Sequence, residues 1–302
     1  MFGASGMLGH KLYQTLSAQP HVFDPYATFR RGSDAVARFG IFDSARSIFD
    51  VTASDFDSVT RAFDAVAPAV VVNCVGIVKQ HASANDPIAS LTVNSLFPHR
   101  LGQLCVTGGA RLIQLSTDCV FSGRKGNYTE ADAPDPEDLY GRSKLLGEVE
   151  GEGRLTLRTS MIGRQLEGEY GLIEWFLERA RGHARGQVES VAGFKRAIFS
   201  GFTTNELSQL IALIITRHPS LQGVWHLATE PINKFELLSL VGQAYGTNIP
   251  IGADDRFSCD RSLRDDRFRQ VSGYVPPSWS DMIDRMQQDL TPYAKPPKPR
   301  GE

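Results

Sequence analysis

Residues 69–75 read Ala-Val-Val-Val-Asn-Cys-Val, a continuous apolar run that suits a parallel strand buried on both faces. Such a strand needs helices packed above and below it, and the chain supplies them in alternation. Segments 26–29, 48–51, 112–115, 154–158 and 224–228 read as further strands. Residues 55–66, 88–107, 139–149 and 203–216 read as helices. Alternation this regular, with the β-rich runs buried, argues a doubly wound parallel sheet. After residue 163 the pattern loosens. A helix is expected at 172–181, irregular structure at 188–200, a helix at 232–245, short elements from Gly246 onward, and a helix at 280–290. The proline- and lysine-rich tail 292–302 has the composition of a disordered segment.

The chain has 302 residues, enough for one large or two smaller units with a sizeable core. Its 41% hydrophobic and 22% charged content is that of a soluble globular protein, and its net charge of -2 gives no reason to expect nucleic acid or an anionic membrane as partner. Cys74, Cys105, Cys119 and Cys259 are scattered, with no metal-ligand spacing, which fits reduced thiols in a cytosolic protein. No metal site is expected. The N-terminus shows no signal-peptide pattern, and no apolar stretch approaches the ~20 residues of a membrane span.

Gly3-Ala4-Ser5-Gly6-Met7-Leu8-Gly9 leads into a helical segment. Three glycines so spaced permit a tight turn, close approach of backbone to a pyrophosphate, and tight helix–strand packing. The phosphate then meets free N–H groups at the helix N-terminus. Only Met1 and Phe2 precede Gly3, so the strand leading into the turn is either unusually short or begins upstream of this sequence. Arg30 and Arg31 follow the second strand, and arginine there accommodates a 2′-phosphate, which leans towards NADP(H). The rival assignment makes 21–23 the strand and Asp24 the ribose ligand, leaving NAD(H) as the alternative. Asp50 and Val51 could flank an adenine, and the backbone at Gly76 could pass close to the cofactor.

Ser116-Thr117-Asp118-Cys119-Val120-Phe121-Ser122-Gly123 follows the strand at 112–115, so Thr117 falls at a carboxyl edge, where ligands bind open α/β sheets. Further on comes Tyr140-Gly141-Arg142-Ser143-Lys144. Four residues apart on a helix, Tyr140 and Lys144 share one face. An ammonium beside a phenol should pull it below its free pKa of ~10, fitting it for acid–base catalysis.

Together, Gly3/Gly6/Gly9, Asn94, Thr117, Tyr140 and Lys144 resemble the extended short-chain dehydrogenase/reductase superfamily. Within it, Ser-Thr-Asp-x-Val-Phe-x-Gly before Tyr-Gly-x-x-Lys is similar to the dTDP-4-dehydrorhamnose reductase family. Residues 199–204 and 224–228 resemble that family's C-terminal half. The resemblance implies a Rossmann-like fold with an NADP-binding unit at 1–163 plus about 201–229. A smaller substrate-binding lobe is implied at about 164–200 plus 230–291. It implies hydride transfer from NADPH to the C4 ketone of a nucleotide-linked 4-keto-6-deoxyhexose, with Tyr140 protonating the oxygen and Thr117 bonding it. Lys144 would lower the tyrosine's pKa and bond the nicotinamide ribose, and Asn94 would position a water. Ser5, Met7, Leu8, Cys74, Val75 and Ser160 join the implied cofactor set. Val78, Lys79, Asp118, Cys119 and Trp175 form the implied substrate set, with Gln80, His81 and Lys195 as further candidates. A cytoplasmic location follows, and a homodimer is compatible with it.

Cys119 departs from the family, which commonly has tyrosine there; the related dehydratases carry an acidic residue. Cysteine does neither job, which speaks against dehydration and leaves the exact sugar open. The loop at 75–80 also differs from the commoner rhamnose-pathway pattern. Two other classes remain: a nucleotide-sugar epimerase of the same superfamily, and a non-catalytic dinucleotide-binding regulator. Regulators of this kind usually lose the tyrosine or the lysine, and here both stand.

Overall fold

Parallel pairing of the apolar runs builds the centre of the molecule, in a computed structural model that describes residues 1–79, 82–168 and 171–293. The first half contains α1 (Met7–Ser17), β1 (Ala27–Thr28), α2 (Ser33–Ala37), β2 (Ser47–Ile48), α3 (Phe56–Val66), β3 (Val70–Asn73), α4 (Pro87–Ser90), α5 (Phe97–Thr107), β4 (Arg111–Thr117) and α6 (Leu139–Leu146). The second half contains β5 (Arg154–Thr159), β6 (Met161–Ile162), α7 (Leu172–Ala184), β7 (Val191–Phe199), β8 (Phe202–Thr203), α8 (Thr204–Arg217), β9 (Gly223–His226), β10 (Ile232–Asn233), α9 (Lys234–Ala244), β11 (Ile251–Asp260), α10 (Asp266–Ser272) and α11 (Trp279–Gln287).

β3, β4, β5 and β9 form a parallel sheet in that order, and β1 pairs in parallel with β2. Met1 and Phe2 join the two. Phe2 bridges Asn73 in parallel, its N–H donates to Val72 O (2.9 Å), and Thr28 N–H donates to Met1 O (3.0 Å). Strand order reverses about Met1 and Phe2, with β1 and β2 on one side and β3, β4, β5 and β9 on the other, which makes the crevice at this edge the natural ligand site.

Burial on both faces follows from the period-2 alternation of strands. Val71 and Leu112 enter one apolar cluster with Phe63 and Leu101, while Val72 and Ile113 enter another with Leu12 and Ile211. Side-chain caps begin the helices as the sequence allows: Asp55 accepts from Ser58 N, Thr203 from Glu206 N and Asn233 from Glu236 N. Among the described residues, no helix is long and apolar enough to cross a membrane.

Four expectations are corrected or refined. Residues 188–200 are not irregular: β7 is nine residues long and pairs with β10 and, in parallel, with β11. Gly193 and the adjacent charges Lys195 and Arg196 interrupt its apolar alternation, and β11, in the region expected to hold only short elements, carries Gly252, Asp254 and Asp255. The helix at 88–107 is present without a break, but its middle, Leu91–Leu96, is π-helical, just ahead of Pro98, whose missing N–H removes an i→i−4 bond. Residues 21–23 form a turn and coil, and the Asp24 carboxylate accepts from Arg46 Nε (2.5 Å), so the rival ribose ligand is already paired. Tyr293 opens the tail expected to be disordered, yet its hydroxyl donates to Asp289 (2.8 Å); residues 294–302 lie outside the described residues.

Tyr293 also meets His10, whose ring is fully buried and whose Nδ1 lies 2.8 Å from the Gly6 carbonyl. Burial pushes this histidine down to about 4. Its folded value lies below the unfolded one (~6.5), so the unfolded chain binds the extra proton and stability falls on acidification between these values. We expect roughly 3 kcal/mol to be lost from pH 6.5 to 4, read from urea midpoints, with His10→Gln flattening that window.

Candidate active site

Glycine is required at the crevice because backbones meet there. A Cβ on Gly3 (φ 78°) would sit 3.0 Å from Cys74 C and Val75 N, and one on Gly9 would sit 2.1 Å from Gly3 O. The cap residue of α1 is Gly6, with no side-chain hydrogen bond. The first N–H groups of the helix are thus left to an anion. Met7 begins α1, and Leu8 is buried beneath it. Ser5 shares a shallow cleft with Phe29, Arg30, Arg31, Val36, Phe39 and Glu167. Arg31 Nη1 lies 3.2 Å from Glu167. Asp50 is exposed at φ 57°, and Val51 beside it is buried, its N–H donating to Phe29 O (2.9 Å).

Asn94, in the π-turn, is bonded in two directions. Its Oδ1 accepts from Ile77 N (2.9 Å), and its Nδ2 donates to Ile77 O (3.0 Å) and Ser143 Oγ (3.1 Å). It thereby holds the backbone after Gly76 and the helix that carries Lys144. A water-positioning role is left little capacity, since both ends of the amide are engaged.

Thr117 ends β4, and its Oγ1 accepts from Cys119 N (3.1 Å). Tyr140 and Lys144 lie on α6, which is capped by Asp138 accepting from Gly141 N (2.8 Å). A Cβ on Gly141 would sit 2.2 Å from Cys119 O, so glycine after Tyr140 is what lets this helix press on the strand end. The Tyr140 phenol is pushed up by burial, with Cys119, Asp118 and Asp138 adding to the effect and a hydrogen bond with Thr117 opposing it. Lys144 is buried, donates to Leu115 O (2.6 Å), and is pushed down to about 8 by burial, with Glu148 opposing.

That arrangement corrects the expectation of a phenol acidified by its lysine. Lys144 faces a backbone carbonyl, and desolvation of the phenol dominates. The shift of the Tyr140 phenol is thus upward, towards its protonated form.

Asp118 and Cys119 stand beside the phenol. Burial raises the Asp118 carboxyl, with Arg261 and Lys234 opposing; burial pushes the Cys119 thiol up to about 12, so it stays protonated. Lys79 pairs with Asp138 (2.6 Å), and Val78 is exposed. Ser160 is partly exposed, and its carbonyl accepts from Phe202 N (3.0 Å). Trp175, half-buried on α7, packs on the main core, and Lys195 lies over the Phe235 ring. Neither is hydrogen-bonded or ion-paired to the Thr117–Tyr140 group among the described residues. Gln80 and His81 lie outside the described residues.

Two cations were not anticipated. Arg261 Nε donates to Phe121 O (2.8 Å) and its Nη1 lies 3.7 Å from Cys119 Sγ. Lys234, the first residue of α9, is pushed down to about 8 by burial of its ammonium, opposed by Asp118 and Cys119. Both come from segments distant in sequence, and only folding brings them to Cys119. No group of three or more His, Cys, Asp or Glu that could hold a metal occurs among the described residues.

A glycine turn at a topological switch, facing a threonine, tyrosine and lysine at the same sheet edge, defines an α/β protein of the Rossmann type. Family comparison makes this specific: residues 1–249 match the family described as RmlD substrate binding domain, and the chain belongs to that family. It is 30% identical over 193 residues to methionine adenosyltransferase 2 subunit beta of Danio rerio, covering 61% of this chain and 57% of that one. It is 42% identical over 82 residues to a dTDP-4-dehydrorhamnose reductase of Streptomyces griseus, covering 27% of each. The matches thus span little more than half of the first relative and about a quarter of the second. Among solved structures, dTDP-4-dehydrorhamnose reductase of Bacillus anthracis in complex with NADP aligns with a TM-score of 0.75 at 20% identity, covering 94% of this chain and 96% of that one. UDP-glucose 4-epimerase of Thermus thermophilus with NAD also aligns at 0.75 and 20%, covering 95% and 96%. At these identities the likeness is one of fold.

Removing the Asn94 side chain should loosen the crevice. Asn94→Ala strands Ile77 and Ser143 groups, with a stability loss of about 2–3 kcal/mol in urea unfolding; a loss below about 0.5 kcal/mol would show the bonds to be dispensable.

Proposed function

We propose that this chain is an NADPH-dependent reductase of the C4 ketone of a nucleotide-activated 4-keto-6-deoxysugar. The observation that carries the reading is the convergence of Thr117, Tyr140 and Lys144 at one sheet edge, beside the glycine turn. The residues fit a dinucleotide: Gly3, Gly6 and Gly9 leave room that a Cβ would fill, and the uncapped start of α1 offers N–H groups to a pyrophosphate. Arg30 and Arg31 suit a 2′-phosphate, and Asp24, the residue that would favour NAD, lies in coil ahead of β1 rather than at a strand's end. When bound, that cofactor supplies a hydride to the ketone carbon.

The chain's own residues supply the rest. Tyr140, held protonated by burial, is in the right state to give its proton to the oxygen as the ketone becomes an alcohol. Thr117 hydrogen-bonds the same oxygen, and stabilising charge that develops there is the larger part of such catalysis. Lys144, titrating at about 8, keeps a positive charge near the phenolate left behind. Lys79, Lys234 and Arg261 give the Cys119 side a cationic lining suited to a sugar diphosphate. In this reading the elements of 164–200 and 230–291 hold the sugar nucleotide, and the rest holds the cofactor.

A second reading, a dinucleotide-binding subunit without turnover, is favoured by the named subunit among the relatives and by the engagement of Lys144 with Leu115. An epimerase would differ in needing no net reductant. NADPH oxidation against a panel of nucleotide-linked 4-keto-6-deoxyhexoses separates the three. The reductase reading expects substrate-dependent oxidation that Tyr140→Phe lowers by at least about 100-fold, with NADPH affinity changed less than about twofold. Unchanged turnover in Tyr140→Phe would remove the tyrosine as the acid.

A further inference from the structure

The cleft between Ser5 and Arg31 already contains an anion of the chain's own. Glu167 lines it, with Arg31 Nη1 3.4 and 3.2 Å from its two carboxylate oxygens. Arg38, seven residues after Arg31 at the end of α2, pairs with the same carboxylate. Two guanidiniums converging on one carboxylate is the arrangement by which proteins also grip a phosphate.

Glu167 is not a wandering surface side chain. The preceding residue, Leu166, is 2% exposed and packs in the cluster of Ala4, Tyr13, Phe29, Val36 and Phe39, which forms the floor of this cleft. Upstream, Arg164 Nε donates to Glu174 (2.6 Å) and Gln165 N donates to the same oxygen (3.0 Å). Downstream, Gly171 N donates to Gln165 Oε1 (2.8 Å). The backbone that carries Glu167 is therefore held at the mouth of the cleft by its neighbours.

We propose that Glu167 is a built-in counter-anion of the 2′-phosphate subsite, occupying Arg31 and Arg38 and narrowing the discrimination between NADP+ and NAD+. The proposal rests on the cofactor reading above and adds a residue that tunes it. The physics is a competition. The three side chains are 39 to 59% exposed, so the pair is weak enough for a phosphate dianion to displace it. Leu166 nonetheless keeps the displaced carboxylate within reach of the incoming charge, and like charges at that range repel. A ribose bearing only a 2′-hydroxyl meets no such repulsion and leaves the ion pairs in place.

Two nucleotide fragments test this without turnover: 2′,5′-ADP, which carries the phosphate in question, and 5′-ADP, which lacks it, each titrated by calorimetry into wild type and Glu167→Gln. The proposal expects Glu167→Gln to bind 2′,5′-ADP about 5- to 20-fold more tightly, with 5′-ADP within about twofold and the gain shrinking at high salt. Binding of both fragments by wild type with no gain for 2′,5′-ADP in Glu167→Gln, or an equal gain for both, overturns the proposal alone. If wild type binds neither fragment, the proposal falls together with the cofactor reading.

Discussion

The Lys144 ammonium, buried and donating to the carbonyl of Leu115, is the interaction on which the crevice depends. A buried cation is unfavourable without a partner, so this bond fixes how α6 lies against β4. With α6 fixed, Tyr140 faces Thr117, Ser143 reaches Asn94, and Asn94 in turn holds Ile77. Glu148, which offsets the burial of Lys144, is itself held by Arg158 (2.7 Å) and Ser116 (2.6 Å). Two groups of polar contacts, Arg158–Glu148–Ser116 and Ser143–Asn94–Ile77, thus flank the seat of Lys144.

Glycine supplies the other constraint. Gly3, Gly9 and Gly141 each stand where any side chain would strike backbone, and each brings two elements closer than their neighbours could. The first two shape the turn before α1, and the third seats the helix that carries Tyr140. The turn before α1 and the seat of the Tyr140 helix are shaped by the same device at two places. The cations Lys234 and Arg261 then come from α9 and the segment after β11, so the anionic end of a substrate would be met by the other half of the chain.

Much of this was legible from residues alone. The parallel sheet was, because apolar runs such as 69–75 have no stable home except between helices. The glycine turn was, and so was the placing of Tyr140 and Lys144 on one short helix, because their spacing reports backbone and helix geometry directly. The long pair β7 and β11 was not: Gly193, Lys195 and Arg196 break the alternation that marks a strand, and pairing overrides their preference. Pro98 was visible, but the π-turn before it is settled by tertiary contact: a Cβ on Gly147 would lie only 1.8 Å from the Asn94 carbonyl. The state of the Tyr140 phenol was misjudged because spacing shows that a lysine is near while burial decides the pKa. Lys234, Arg261 and Glu167 carry no local signal, since their partners are more than 100 residues away in sequence.

Hydride transfer across this crevice to a sugar carbon is what the proposed reductase must perform. Incubating the protein with NADPH deuterated at the transferable C4 position of the nicotinamide, together with a nucleotide-linked 4-keto-6-deoxyhexose, tests it most directly. Such transfer leaves a product carrying one deuterium at C4 of the sugar. Tight NADPH binding with the keto sugar recovered unreduced and unlabelled would contradict it, and would leave the chain as a binding subunit.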